Sequence, residues 1–364
     1  MKIHLSFAKS FTPRATSIAL LSFITCLGTG LRVDSLHAAT PTTPHKFRIQ
    51  TEWNIGGQGG WGFLSLDADA HHLYIPRTNR ITVVDTATGL ASGEVEGMTN
   101  TRDLALDDSG KYGYVTDPTD GSAGFVRVFD RSTFKLVTSI PTGRIPYTIV
   151  FDPATKFVFA FNSRGHSVTV IDSATNQVTA TIPLSGRPAA AVKDGNGGIF
   201  VALPAEGKIA RIDAATKKVT TTLPLAPCAG PSGLSIDAAH HQLFTICEDH
   251  KLVSVDTDSG HVSVIGEAPA NSGDIDFDPK HNMLFLADAD GTLTIFHRDS
   301  PIKYSVVQQV KTQPGARTMA VSHNDDKTYL VTSKFGQNTA AVSEELKFRP
   351  TPVPGTFAVI VVGR

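Results

Sequence analysis

The sequence predicts an all-β fold, a seven-bladed β-propeller built from four-stranded antiparallel blades. Three observations support this prediction. Residues 144–186 have the pattern of a complete meander of four strands, and similar segments follow one another along most of the chain. The similar segments recur at a nearly constant period. An additional strand-like run at 45–55 has no partner of its own and can supply the one strand that the last blade lacks.

The clearest copy of the repeat is the segment 144–186. Its four runs, at 147–151, 157–161, 167–172 and 177–183, are rich in Val, Ile, Phe, Tyr and Thr, and turn residues separate them. β-branched and aromatic residues favour a pleated, half-buried surface, whereas Asp, Pro, Asn and Gly favour chain reversals. One such sheet cannot bury both of its faces, so successive copies must stack against one another.

An Asp that ends the third run gives the period of the repeat. It stands at Asp85, Asp130, Asp172, Asp213 and Asp256, and His297 takes this place in the sixth copy; successive positions are 41 to 45 residues apart. A four-stranded unit of this length is typical of propeller blades. A carboxylate at a strand end can accept backbone N–H bonds in the following turn, so we expect a structural role for these residues.

The period places the boundaries of the blades. We predict blades at 56–97, 98–143, 144–186, 187–227, 228–269, 270–313 and 314–364, and the last of these takes the run 45–55 as its outer strand. Pairing the two ends of the domain in one blade removes an open sheet edge. Residues 46–364 are therefore expected to form a single closed propeller.

Residues 1–38 have the pattern of a secretory signal peptide. Lys2, Lys9 and Arg14 precede an apolar run at 18–27 that is too short to span a membrane, and small residues follow at Ala38 and Ala39. We expect cleavage after Ala38 or Ala39, rather than a retained anchor, and a periplasmic or secreted protein with no membrane span after cleavage. Four of the 33 basic and one of the 34 acidic residues lie in 1–38, which leaves 29 and 33. This mild acidity argues against nucleic-acid binding.

The second run of the repeat carries a specific resemblance. It reads Tyr114-Val115-Thr116-Asp117 in the second blade, and the links between blades include Arg144-Ile145-Pro146 and Arg187-Pro188. These segments resemble the YVTN-type, YncE-like β-propeller repeat family of exported bacterial proteins. The resemblance covers nearly all of the chain after residue 38 and implies the propeller fold. It does not imply one function, because fold and function are separable.

The two cysteines beyond the signal peptide are predicted to form a disulfide. Cys228 lies in the link that enters the fifth blade and Cys247 ends the second strand of that blade, so antiparallel pairing brings them to one face. Exported proteins favour a disulfide between such residues. The alternative is a soft metal held by Cys228, Cys247 and His250.

The first strand of each blade should line a central channel, and the residues that enter these strands should form its entrance. The predicted ligand-binding residues are Trp61, Arg102, Asp103, Arg144, Tyr147, Arg187, Asp274 and Arg317, with Arg144 and Arg187 slightly farther out. Arginines around one funnel suit a carboxylate or phosphate, because a guanidinium donates two parallel hydrogen bonds. Two alternatives stay open: Asp103 and Asp274 hold a hard cation, or arginines and aspartates neutralise one another and tie neighbouring blades together.

The longest irregularity of the repeat is the segment 334–355, between the second and third strands of the last blade. Loops of this length are uncommon unless they serve a function or lack a fixed structure. In a propeller this connection lies on the same face as the links between blades. The segment is either a lid or partner surface, or a decoration that covers the rim.

The sequence does not identify a ligand, a metal or a cofactor. It contains no Gly-x-Ser-x-Gly, Walker or His-Glu-x-x-His motif, and without Cys-x-x-Cys-His covalent haem attachment is excluded. We therefore expect a binding or scaffolding module for a small anionic ligand or a protein partner, on the face that carries 334–355. The alternative is a metal- or cofactor-dependent propeller enzyme, either a lactonase-like hydrolase or a quinone- or haem-linked oxidoreductase.

Overall fold

The computed structural model describes residues 46–119, 124–336 and 351–364. These residues form seven four-stranded antiparallel sheets, which confirms the predicted propeller. The first strand of each sheet contacts the first strands of both neighbouring sheets, and the ring closes between the seventh blade and the first. The predicted signal peptide at 1–38 lies outside the described residues.

The first six blades are meanders of strands consecutive in the chain. The strands are β2 (Ser65–Asp67), β3 (His72–Arg77), β4 (Arg80–Asp85) and β5 (Ala91–Val95) in blade 1; β6 (Leu104–Leu106), β7 (Tyr112–Pro118), β8 (Gly124–Asp130) and β9 (Lys135–Thr142) in blade 2; β10 (Pro146–Asp152), β11 (Phe157–Asn162), β12 (Ser167–Asp172) and β13 (Gln177–Pro183) in blade 3; β14 (Ala191–Lys193), β15 (Gly198–Leu203), β16 (Lys208–Asp213) and β17 (Lys218–Pro224) in blade 4; β18 (Pro231–Asp237), β19 (Gln242–Cys247), β20 (Lys251–Asp256) and β21 (Val262–Glu267) in blade 5; and β22 (Ser272–Asp278), β23 (Met283–Asp288), β24 (Thr292–Ser300) and β25 (Lys303–Lys311) in blade 6.

Blade 7 combines strands from both ends of the described chain. It consists of β26 (Met319–Ser322), β27 (Lys327–Thr332), β30 (Ala358–Gly363) and, outermost, β1 (Arg48–Asn54). β1 runs antiparallel to β30, with Arg48 opposite Gly363 and Asn54 opposite Ala358. The predicted closure by the N-terminal strand is therefore confirmed.

The segment 334–355 is described only at its base. There β28 (Phe335–Gly336) pairs with β29 (Thr351–Pro352) as a short antiparallel ladder. Residues 337–350 lie outside the described residues, so the prediction of a lid or partner surface for 334–355 stays a prediction.

The core lies between the blades, as the stacking argument requires. Between blades 3 and 4, for example, Phe159 and Val170 pack in one cluster with Ile199 and Val201. The fourth strand of each blade is mostly exposed; in β13 only Ile182 is buried. Two short 3-10 turns, Pro204–Glu206 and Ala238–His240, are present, and in the described part of the chain no helix has the length and apolarity of a membrane span.

The Asp that ends the third strand holds the following turn, as predicted. Asp130 Oδ1 accepts hydrogen bonds from the backbone N–H groups of Ser132 and Thr133, both at 2.9 Å. Hydrogen bonds from Ser132 and Thr133 lower the pKa of Asp130 to about 2. In blade 6 the third strand continues past this position to Ser300, which explains why His297 replaces the Asp there.

The end of the second strand holds the link that enters the same blade. In blade 2 the Asp117 carboxylate accepts hydrogen bonds from the backbone of Thr99 and Asn100, and in blade 7 Thr332 Oγ1 donates to Pro314 O at 2.6 Å. In blade 5 a disulfide does the same between Cys247 and Cys228, whose Cα atoms are 5.5 Å apart. The predicted disulfide is confirmed. The alternative metal site with His250 is wrong, because both sulfurs are bonded to each other.

Candidate ligand-binding site at the channel entrance

The central channel has a volume of about 1560 Å³ and is lined by residues of all seven blades. One end, the entrance, lies where the first strands begin, and its lining includes Trp61, Arg102, Tyr147, Arg187 and Arg317. Asp103 and Asp274 also line the channel. Seven of the eight predicted site residues are thus brought together, whereas Arg144 is exposed and does not line the channel.

Backbone pairing with the second strand of blade 2 holds Arg102 and Asp103 in place. Arg102 N donates to Thr116 O at 3.2 Å and Thr116 N donates to Asp103 O at 2.9 Å. Asp103 N in turn donates to Thr116 Oγ1 at 3.0 Å. Thr116 and Asp117, the last two residues of the Tyr-Val-Thr-Asp motif, therefore fix the link that carries Arg102.

Asp103 connects blade 2 to blade 3. Its Oδ2 accepts hydrogen bonds from Thr148 Oγ1 at 2.7 Å and from Ile149 N at 3.1 Å, and its Oδ1 accepts one from Leu104 N at 2.8 Å. A carboxylate offers about four lone-pair positions, so three of them are in use here. Burial raises the pKa of Asp103 to about 6, although these hydrogen bonds act to lower it.

Asp274 connects blade 6 to blade 7 in the same way. Its carboxylate accepts hydrogen bonds from Met319 N at 3.1 Å and from Ile275 N at 3.0 Å. Burial, together with the negative charges of Asp276 and Asp103, raises the pKa of Asp274 to about 7, although the hydrogen bonds from Met319 and Ile275 act to lower it. The side chain keeps some exposure to the channel. A carboxyl group that is partly protonated near neutral pH and hydrogen-bonded across two blades is a poor ligand for a hard cation.

Unlike these aspartates, Arg102 and Arg317 do not connect blades through their side chains. The guanidinium groups of Arg102 and Arg317 have no hydrogen bond or ion pair within 46–119, 124–336 and 351–364, and Arg187 Nε donates only to Ser163 Oγ, at 2.9 Å. The expectation that arginines and aspartates neutralise one another is wrong for these residues. The aspartates tie the blades through hydrogen bonds from Thr148, Ile149 and Met319, and Arg102 and Arg317 remain available to a ligand.

Aromatic side chains lie beside these arginines. Trp61 packs on Phe357 and Phe335 with ring centroids 5.5 and 6.2 Å apart, so most of its surface belongs to the contact between blades 7 and 1. Tyr147 meets Phe63 edge to face at 6.0 Å. The entrance therefore offers apolar surface next to positive charge.

Sequence reasoning missed Arg77, which is buried at the end of the second strand of blade 1. Its guanidinium donates to the carbonyls of Gln58 at 3.0 Å and Gly60 at 3.2 Å, and it lies 3.6 Å from the centroid of the Phe357 ring. Burial lowers the pKa of Arg77 to about 10. Its role is to hold the loop before Trp61, and nothing in the repeat pattern distinguishes it from an exposed arginine.

Sequence reasoning also missed His323 and Asp276 at the other end of the channel. His323 Nε2 lies 3.7 Å from Asp276 Oδ2, and the nearby carboxylate of Asp276 raises the pKa of His323. Asp276 lies within β22, two residues before its end, and His323 directly follows β26. The predicted site considered only the residues that enter these strands.

Comparison with known proteins supports the fold and adds no function. No protein-family model matches the chain, and no curated protein matches it. A similar solved structure is Kuenenia stuttgartiensis hydrazine synthase, with a TM-score of 0.64 and 18% sequence identity over 77% of this chain and 94% of that chain. At this level of identity the likeness shows a common fold alone.

Proposed function

We propose that the protein is an exported binding module, a propeller of the YncE-like type, that holds a small anionic ligand at the entrance of its central channel. The observation that carries this proposal is the pair of guanidinium groups on Arg102 and Arg317. Both line the entrance of a channel of about 1560 Å³ and neither has a partner among the described residues.

The chemistry of the entrance supports an anion rather than a cation. A guanidinium is permanently charged and its donor geometry matches a carboxylate or a phosphate. Two acids lie near these arginines: Asp103 is next to Arg102 in sequence, and Asp274 follows Gly273, which packs against the backbone of Arg317. Their pKa values are raised to about 6 and 7, so they carry less negative charge near neutral pH. Glu248, which is exposed, also lines the channel and contributes negative charge there.

The proposal of export rests on the leader-like residues 1–38 and on the disulfide between Cys228 and Cys247. Disulfides persist in oxidising compartments such as the bacterial periplasm and the extracellular space. Both features support a periplasmic or secreted location for this propeller.

A channel enzyme is the second candidate, and one observation favours it. Asp274 has a pKa near 7 and lies in the channel with Asp276 and His323, and a carboxyl group that titrates near neutral pH is suited to general acid–base work. Metal analysis of the purified protein separates the candidates. A stoichiometric divalent ion supports the enzyme, and a metal-free protein that binds anions supports the binding module.

The proposal is tested with a panel of organic anions, measured by thermal shift and calorimetry. In the double variant Arg102→Ala/Arg317→Ala we expect an anion that binds the native protein to lose roughly 1.5–3 kcal/mol for each charged hydrogen bond removed. Arg48→Ala, an exposed arginine on the outer strand of blade 7, is the matched control and should bind normally. Equal affinity in the native protein and the double variant contradicts the proposal.

A further inference from the structure

A second, smaller cavity opens beside the entrance between blades 2 and 3. It has a volume of about 250 Å³, and Arg102, Tyr147 and Arg187 line both this cavity and the channel. We call it the arginine pocket. The two cavities therefore meet at these three side chains.

Three arginines from three different blades line the arginine pocket. Arg102 enters blade 2, Arg164 lies in the loop between the second and third strands of blade 3, and Arg187 enters blade 4. No acidic side chain is among the described residues that line it. Like Arg102, Arg164 has no side-chain hydrogen bond or ion pair within the described part of the chain.

Neutral donors accompany the three charges. Asn100 and Tyr147 line the pocket, and Ser163 accepts the hydrogen bond that orients Arg187. Asn100 is itself fixed, because its backbone N–H donates to Asp117 Oδ1 at 2.7 Å. Asn100 therefore lies on a link that the second strand of blade 2 holds in place, and Tyr147 lies in the first strand of blade 3.

The backbone beside the pocket is strained. Ile145 lines it with φ of +51°, and it is the β-branched residue among the described non-glycine residues with positive φ. Its carbonyl accepts a hydrogen bond from Ser163 N at 2.7 Å, which joins the two loops that form the pocket wall. Left-handed backbone is costly for a β-branched residue, and strain of this kind concentrates at functional sites.

Size and charge together define the ligand. A cavity of about 250 Å³ lies below the range of roughly 300–1,000 Å³ for complete ligand sites, so it suits one end of a ligand. A single negative charge would leave two of the three guanidinium charges uncompensated. We infer that the arginine pocket is a subsite for the anionic end of a small polyanion carrying two or more carboxylate or phosphate groups, whose remainder lies in the channel entrance. This inference rests on the proposed function and adds the ligand class and a second cavity to it.

Calorimetry at low salt with defined probes tests the inference on the full-length protein. The probes are propionate, succinate and tricarballylate, which carry one, two and three carboxylates, together with pyrophosphate. We expect affinity to rise with the number of charges. Arg164→Ala should weaken tricarballylate or pyrophosphate roughly tenfold, as expected when one charge-assisted hydrogen bond is lost. Propionate should change less than about twofold, and preference between the two polyanions tells carboxylate from phosphate chemistry.

Two further variants test whether the guanidinium group of Arg164 contributes more than its charge. Arg164→Lys keeps the charge but not the planar fork, so its affinity for the polyanions should fall between those of Arg164→Ala and the native protein. Arg48→Ala should match the native protein. Arg164 is exposed, so its variants should fold normally.

The outcomes separate the subsite from the proposed function. If Arg102→Ala/Arg317→Ala weakens an anion but Arg164→Ala leaves both polyanions unchanged, the subsite is wrong and the entrance site stands. If none of the probes binds at millimolar concentration, or if neither set of variants alters binding, both are overturned.

Discussion

Two pairs of arginines at opposite ends of the propeller differ in whether their side chains have partners. Away from the entrance, Arg298 donates to Asp237 Oδ2 at 2.5 Å and to Asn282 Oδ1 at 2.6 Å, and joins blades 5 and 6. Arg131 likewise pairs with Asp67 and donates to Asp107 O, and joins blades 1 and 2. At the entrance, Arg102 and Arg317 have no such partner among the residues described.

The difference shows which charges hold the ring together. Both paired arginines are about nine-tenths buried, with side-chain exposures of 10% for Arg131 and 9% for Arg298. Removing one partner of a buried pair leaves the other charge uncompensated, which is costly. Arg317 is exposed and Arg102 is half-buried, and an unpaired arginine that keeps contact with solvent contributes little to stability. The fold therefore does not require arginine at 102 or 317, and a ligand is the physical reason that we propose for it.

The largest effect is expected from removing the strand that closes the ring. β30 reads Ala-Val-Ile-Val-Val-Gly and is buried between the neighbouring blades, and β1 covers its outer hydrogen-bonding edge. Deleting residues 46–55 exposes this strand as an open apolar edge, so we expect aggregation or loss of the folded state. Analytical ultracentrifugation and circular dichroism check this. If the truncated protein is a monomer with the native melting temperature, closure of the ring by β1 is not needed for folding.

The second largest effect is expected from removing the disulfide between Cys228 and Cys247, which holds the link that enters blade 5. Its cysteines are 19 residues apart in sequence, and closing a loop of this length stabilises the fold by about 3 kcal/mol in the chain-entropy model. We expect Cys228→Ser/Cys247→Ser to lower the free energy of unfolding by about this amount in urea denaturation. Arg102 and Arg317 belong to other blades, so anion affinity should stay native. If the double variant loses anion binding but keeps its stability, the disulfide does not act as a purely structural tie.

A smaller effect is expected on the pH dependence of stability, through Asp274 and Asp103. Asp274 has a folded-state pKa of about 7, against roughly 3.9 in an unfolded chain. The folded state then binds more protons, so its stability is full below the unfolded pKa and falls as pH rises to about 7. Asp103, with a pKa of about 6, acts in the same direction.

The variant Asp274→Asn isolates this contribution. We expect it to reduce the loss of unfolding free energy between pH 5 and pH 8 by roughly 1–2 kcal/mol, less than the full shift implies because channel water screens the charge. Urea denaturation at both values of pH measures it. A native pH dependence in the variant contradicts the raised pKa.

Anion affinity should rise at low pH, because Asp103 and Asp274 then lose their charge near the arginines.

The fold could be predicted from sequence because its signal is periodic. An Asp at 41 to 45-residue spacing and the unpartnered run at 45–55 were enough for seven blades and their closure. The disulfide followed from strand pairing about one turn. These features depend on the local pattern of strands and turns, which recurs in every repeat of the chain.

The site could be predicted only in part, because its chemistry depends on which groups find partners. Asp103 and Asp274 appeared in sequence as charged ligands, yet hydrogen bonds from Ile149 and Met319 in the next blades make them ties. Arg164 lies in an ordinary turn between two strands, and only the packing of blades 2 to 4 brings it beside Arg102 and Arg187. No spacing in the sequence carries this information.

A single experiment on two matched double variants tests the central claim most directly. It measures melting temperature and tricarballylate affinity for Arg102→Ala/Arg317→Ala and for Arg131→Ala/Arg298→Ala. We predict that the entrance variant keeps its melting temperature and loses anion affinity. The variant Arg131→Ala/Arg298→Ala should lose about 3–5 kcal/mol of stability per broken pair. At temperatures where it remains folded, it should keep its affinity for tricarballylate. The reverse pattern, with the entrance variant unstable and its affinity native, would show that Arg102 and Arg317 hold blades together and do not bind a ligand.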